Sequence, residues 1–216
     1  MNRFILILNF LELASCITGF LYWNKIKDTY WKWFPVYLGI IFLTEIAGEY
    51  FLFVKDDLVT NIAIYSYFGI PLQFLFFYWI FYKQFTGTKF NALTLIAVIL
   101  YLVALVADIS YIGKIQFYFE SFSYVIGCLL LMIILIVFFI RFVNSNDIIH
   151  YKSSIIFWVS LGLLLFYIGT MPFFAYRTKM YNEIRELFFR YWYLQFGLNY
   201  LMYLFFMLSF ICGKTK

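Results

Sequence analysis

Glu45 and Glu49 stand four residues apart in Thr44-Glu45-Ile46-Ala47-Gly48-Glu49-Tyr50, inside an apolar run from Phe34 to Val54. That spacing puts both carboxyl groups on one face of a helix. A carboxylate within a bilayer costs roughly 2.5–3.5 kcal/mol on insertion scales, so it normally faces a polar interior. Two readings follow: a pair of interhelical hydrogen bonds, or a ligand- or proton-binding role. Other polar groups fall at comparable depth in apolar runs, namely Glu12, Gln73, Glu120, Gln195 and Asn199. Opposite charges are supplied by a basic stretch that includes Arg177 and Arg190.

Several chemistries lack their residues. The only histidine, His150, lies in a polar loop, which argues against a histidine metal site. Cys16, Cys128 and Cys212 are scattered through apolar runs without metal-ligand spacing and read as small packing residues. There is no G-x-S-x-G elbow and no glycine-rich phosphate loop. The last apolar run carries no lysine, so a retinal Schiff base is excluded. A carboxylate metal site built from Glu12, Glu45, Glu49 and Glu120 is too unspecific to predict. No catalytic residue, metal or cofactor is expected, and the chain does not read as an enzyme.

The elements that must position these groups are membrane helices. Of 216 residues, 65% are hydrophobic and 12% charged, half the charge of an ordinary soluble domain. Seven apolar segments are predicted in a single all-α transmembrane domain, at about 4–22, 34–54, 61–82, 90–107, 116–143, 153–175 and 188–212. The first ends in Tyr22-Trp23 without a small-residue cleavage site and reads as a helix that stays. Connections are short except for 176–187. The net charge of +5 needs no nucleic-acid partner, because basic loops set membrane orientation.

With the N-terminus outside, nine Lys and Arg fall inside and seven outside, and the excess grows once the sixth loop is set aside. That predicts an N-outside, C-inside membrane protein. Glu12, Glu45, Glu49, Asp108 and Glu120 then lie at or above the midplane. The inner half is lined by runs such as 129–139 and 204–210 that are almost wholly apolar. A pocket open to the outside above a dry plug fits this distribution.

Three matches suggest that segments 1–3 repeat as 5–7, giving a 3+1+3 parallel arrangement. They are Glu12-x-x-Ser15-x-x-x-Gly19 with Glu120-x-x-Ser123-x-x-x-Gly127, Phe34-x-Val36-x-Leu38-Gly39 with Phe157-x-Val159-x-Leu161-Gly162, and Leu72-Gln73-Phe74-x-x-x-Tyr78 with Leu194-Gln195-Phe196-x-x-x-Tyr200. The plainer account of Ser15/Gly19 and Ser123/Gly127 is close helix packing through small residues. Ile168 and Pro172 occupy the places of Glu45 and Glu49, so the acidic pair belongs to one half only.

Leu43-Thr44-Glu45-x-x-Gly48-x-Tyr50, Tyr65-x-Tyr67-x-x-Ile70-Pro71-x-Gln73-x-Leu75 and Phe157-Trp158-Val159-x-x-Gly162 with Tyr167-x-Gly169 resemble a family of small seven-helix membrane proteins of Bacteroidetes type. Gln73 departs from the acidic residue expected in that pattern. The resemblance implies the fold and hints at sensing, since members are similar to genes found near signalling kinases. More loosely, the 3+1+3 plan resembles sugar and vitamin facilitators, but their adjacent Pro-Gln is replaced by Pro71-x-Gln73.

The expectation is a receptor-like module embedded in the lipid bilayer, binding a small or amphiphilic ligand from outside. Glu12, Glu45, Glu49 and Glu120 provide carboxylates, Gln73, Gln195 and Asn199 orient, and Arg177 and Arg190 close the site. A signalling partner on the cytoplasmic side would read a change in helix packing. A facilitator or proton-coupled carrier using the same residues is the alternative, and an intramembrane lipid enzyme the third.

Overall fold

The structure is a computed structural model that describes residues 3–112 and 122–214. Seven helices in it are long and apolar enough to cross a membrane. We label them α1 (Arg3–Leu21), α2 (Tyr30–Val54), α3 (Leu58–Gln84), α4 (Asn91–Ser110), α5 (Phe122–Val143), α6 (Ile155–Glu183) and α7 (Arg185–Cys212). The molecule is an integral membrane protein of the all-α, polytopic class. Large apolar side chains on the outside of the bundle, such as Leu43, Ile99, Val103 and Ile140, have no protein neighbour to bury them. Lipid takes that role, which is why these helices are apolar on every face.

Helices adjacent in sequence pack together, and α7 returns to α1 to close a ring. α1 and α7 run side by side in one direction. The Tyr200 hydroxyl donates to the Phe4 carbonyl at 2.6 Å at one end, and Lys25 Nζ to the Ile211 carbonyl at 2.9 Å at the other. α5 packs on α3 as α1 packs on α7, the pairing that an exchange of α1–α3 with α5–α7 requires. α4 buries one narrow stripe, Thr94, Ala97, Tyr101 and Ala104, against α3 and α5.

α3 fills the centre. Its buried Phe74, Phe77, Tyr78 and Phe81 reach α5, α6 and α7. Gly127 lets Phe74 approach α5, and the Tyr78 hydroxyl caps the Gly127 carbonyl at 3.0 Å. Gly19 similarly admits Pro35 and Phe210 against α1. Gly19 and Gly127 thus serve close packing.

The half of the bundle beyond Tyr37 is closed by rings. Tyr37 and Phe76 stack with centroids 4.0 Å apart, and Phe34 meets Phe206 at 5.1 Å and Phe210 at 5.3 Å. The basic side chains Lys25, Lys27, Lys32, Lys83, Lys89, Arg141, Lys152 and Lys214 follow the helix ends on that side.

The segment expected as a long sixth loop is helical instead. α6 runs on to Glu183 and α7 starts at Arg185, leaving Ile184 as the only break between them. The cause is local: Lys179–Glu183 and Glu186–Arg190 are pairs at i,i+4, which favour helix where the chain leaves the apolar span. The start expected for the fifth helix, near residue 116, and the site residue Glu120 lie outside the described residues.

Candidate functional site

Three carboxyl groups meet where α1, α2, α3 and α7 come together. Glu12 is 2% exposed, and it interacts electrostatically with Glu45 and Glu49, both half-buried on α2. Tyr37 and Tyr203 stand against the Glu12 side. Asn9 Nδ2 donates to Glu49 Oε1 at 2.7 Å, and the Tyr65 hydroxyl donates to Glu45 Oε2. Neither Lys nor Arg is paired with any of the three among the described residues.

The local sequence explains the arrangement. α2 and α3 form a hairpin turning at Asp56, whose φ of 54° is tolerated by Asp, and the Asp57 carboxylate caps α3. Residues equidistant from that turn face one another, so Tyr65 meets Glu45 and Asn61 meets Gly48. Asn61 Nδ2 donates to the Gly48 carbonyl at 2.8 Å, and the missing Cβ of Gly48 leaves room for the Tyr65 ring. Two widened, π-type turns flank the cluster, Tyr50–Val54 in α2 and Tyr65–Gly69 in α3. The second precedes Pro71, which has no N–H for an ordinary helical bond. Such turns redirect side chains and recur at functional sites.

The other expected site residues are placed differently. Gln73 turns to α6 and donates from Nε2 to the Tyr167 hydroxyl at 2.9 Å. Gln195 and Asn199 are half-buried on the face of α7 that also carries Tyr203, and neither makes a side-chain hydrogen bond among the described residues. Arg177 stacks over Phe173 and Phe174 and lies near Tyr124. Arg190 is paired with Glu186, both side chains at least three-quarters exposed. Among the described residues neither arginine is paired with Glu12, Glu45 or Glu49. Asp108, grouped by depth with the other carboxylates, instead accepts from Ser123 N at 3.1 Å and Ser123 Oγ at 2.7 Å.

Asn9, Tyr65 and Asn61 join the candidate site beside the expected residues. Their signal is the symmetry of the hairpin about residues 55–57 for Tyr65 and Asn61. For Asn9 it is the i,i+3 spacing to Glu12, which puts both on one face of α1.

Two hollows lie elsewhere. One, of about 530 Å³, is lined by Ile149–Ser153 and Cys212 where the 3₁₀ connection meets the end of α7. The other, of about 320 Å³, is a groove between Trp33, Tyr37, Ile40, Leu72, Phe76 and Trp79 on the lipid side of α2 and α3. Glu12, Glu45 and Glu49 line neither hollow, and their cluster is a polar contact with half-buried edges. No group of three His, Cys, Asp or Glu among the described residues is disposed to hold a metal ion.

Fold and site together define a seven-helix membrane bundle with a carboxyl cluster towards one end, unpaired with Lys or Arg among the described residues, and an aromatic seal towards the other. The chain matches no protein-family model, no curated protein and no solved structure.

Proposed function

We propose that this protein is a receptor-like membrane module that binds a small or amphiphilic ligand at Glu12, Glu45 and Glu49. The observation that carries the reading is three carboxyl groups near one another on membrane-spanning helices, with no Lys or Arg paired to them among the described residues. Intramembrane carboxylates are costly and are kept where they handle a ligand, an ion or a proton. The site is one-sided. Tyr37, Phe34, Phe206 and Phe210 fill the bundle beyond it, which favours reception over passage. Arg177 and Arg190 drop out of this version of the site, and Gln195 and Asn199 remain as groups beside it on α7.

The lysine-bearing ends of the helices face the cytoplasm in this reading, with the N-terminus of α1 outside, in a bacterial inner membrane. Ligand binding shifts the packing of α1, α2 and α7, and a cytoplasmic partner engages the changed lysine-rich end.

The test is thermal unfolding of the purified protein in lipid nanodiscs against a library of small and amphiphilic compounds. A ligand present at 100 times its Kd adds about 2.7 kcal/mol of stability. The expected result is a compound that raises the unfolding temperature of the wild type and loses the effect in Glu45→Gln. Stabilisation that is unchanged in both Glu45→Gln and Glu12→Gln places the site elsewhere. Uptake of the compound into proteoliposomes replaces the receptor by the carrier.

A further inference from the structure

We propose that the ligand taken by this cluster is a protonated amine that offers N–H donors, a small organic ammonium ion. The inference rests on the reading of Glu12, Glu45 and Glu49 as the ligand site and narrows its chemistry.

The hydrogen-bond inventory points there. Tyr65 holds Glu45, Asn9 Nδ2 holds Glu49 and Asn61 holds the Gly48 carbonyl, while the Tyr203 and Tyr37 hydroxyls stand on the Glu12 side. The buried side-chain atoms of the cluster that remain without a partner are both oxygens. Glu12 Oε2 and Asn9 Oδ1 are buried without a hydrogen-bond partner, on residues 2% and 8% exposed. Asn9 is oriented into the cluster, since its other amide atom holds Glu49. Buried acceptors are normally satisfied, so the missing group is a donor. Carboxylates, phosphates and other acceptor-only ligands are disfavoured by charge and by this inventory alike.

Charge selects among donors. Among the described residues no lysine or arginine is paired with the three carboxyl groups, and the pairs Lys179–Glu183 and Arg190–Glu186 lie on the projecting ends of α6 and α7. The cluster is not disposed to coordinate a metal ion. A primary ammonium carries its positive charge with three N–H groups, which suits acceptors spread over α1 and α2. Tyr37 and Tyr203 beside Glu12, and Tyr65 over Gly48, add aromatic surface of the kind that attracts organic cations. The aromatic fill beyond Tyr37 is the matching surface for an apolar substituent on the amine.

Four compounds of one shape separate the terms: benzylammonium, benzyltrimethylammonium, benzyl alcohol and benzoate. Each is titrated calorimetrically into the protein in nanodiscs, with empty nanodiscs subtracted. The expected result is that benzylammonium binds and benzyltrimethylammonium binds at least about tenfold more weakly, the value of one charge-assisted hydrogen bond. Benzyl alcohol and benzoate give no saturable heat. In Glu12→Gln, benzylammonium binding weakens by about tenfold or more. The comparison within the wild-type chain stands even if that variant fails to fold. Equal binding of the two cations overturns the donor requirement. If benzyl alcohol or benzoate binds at least as tightly as benzylammonium, in a Glu45-dependent way, the ammonium assignment falls and the ligand site stands. If benzylammonium gives no binding, the proposal falls. The ligand-site reading falls with it only if the library also yields no Glu45-dependent compound.

Discussion

Tyr65 decides how Glu45 is held. Its hydroxyl is the one side-chain donor to that carboxyl among the described residues, and it is delivered from the neighbouring helix of the hairpin. Tyr65→Phe removes the donor and keeps the ring that fills the space above Gly48. The expected loss is about 0.5–2 kcal/mol, the scale of hydrogen bonds between helices inside membranes. Reversible unfolding in mixed micelles measures it, and an unchanged stability would sink the assigned bond. Asn9 plays the same part for Glu49 from α1, so the two glutamates, one turn apart, are tied to different helices. Glu12 is the member with an unmatched oxygen.

At the scale of elements, the α2–α3 hairpin and the α3–α5 contact are the parts that set the geometry. Asp57 caps α3 by accepting from Thr60 N at 3.0 Å and from the Thr60 hydroxyl. These bonds hold its carboxyl below the usual carboxylate range. A depressed value means that the cap contributes above the unfolded value of about 3.9 and is lost as pH falls through the folded one. The difference in melting temperature between wild type and Asp57→Ala should therefore be flat at neutral pH and shrink below about pH 4. A gap that persists undiminished at lower pH contradicts the capping role. The α3–α5 contact makes a second prediction. A Cβ at Gly127 would lie 2.7–2.9 Å from the Phe74 ring, which Tyr101, Tyr124 and Tyr167 hem in. Gly127→Ala should cost about 1–3 kcal/mol through overpacking. Gly197→Ala meets nothing within 4 Å on a helix and should be neutral or stabilising by up to about 1 kcal/mol. Thermal unfolding of the two variants reads the opposite signs.

The whole molecule is a ring closed by α1 on α7 and filled by α3. Two of its three thiols report on that closure. Cys16 and Cys128 are buried between helices, whereas Cys212 is exposed at the lysine-rich end. A membrane-impermeant maleimide should label one thiol per folded chain, on the cytoplasmic face, and all three after denaturation. Mass spectrometry of labelled right-side-out and inverted vesicles checks this. Labelling of Cys128 in the folded protein would contradict the closed bundle, and labelling of Cys212 from the periplasmic side would reverse the orientation. Leu204, an apparent lining residue of the inner half by sequence, is 44% exposed on the outside of the ring, so a cysteine there reports on lipid. Leu131 is fully buried and reports on the interior.

Much of the bundle follows from composition alone. Runs of about 20 apolar residues must be helical in a membrane, because only helices satisfy their own backbone polar groups there. That reasoning also marks Glu12, Glu45 and Glu49, since a carboxyl group in such a run is conspicuous by its cost. What it does not convey is azimuth. Every face of these helices is apolar, so periodicity carries little sign of which side meets protein and which meets lipid. Gln73 turns to Tyr167, and Gln195 and Asn199 lie on α7 beside Tyr203, placements that rest on how α3, α6 and α7 rotate about one another. Arg177 and Arg190 were grouped with the carboxylates by depth, but depth is one coordinate of three. Only the packed ring brings Glu12 of α1 to Glu45 and Glu49 of α2. Such interhelical contacts form between residues remote in sequence and are chosen by the fit of Phe, Tyr and Gly surfaces.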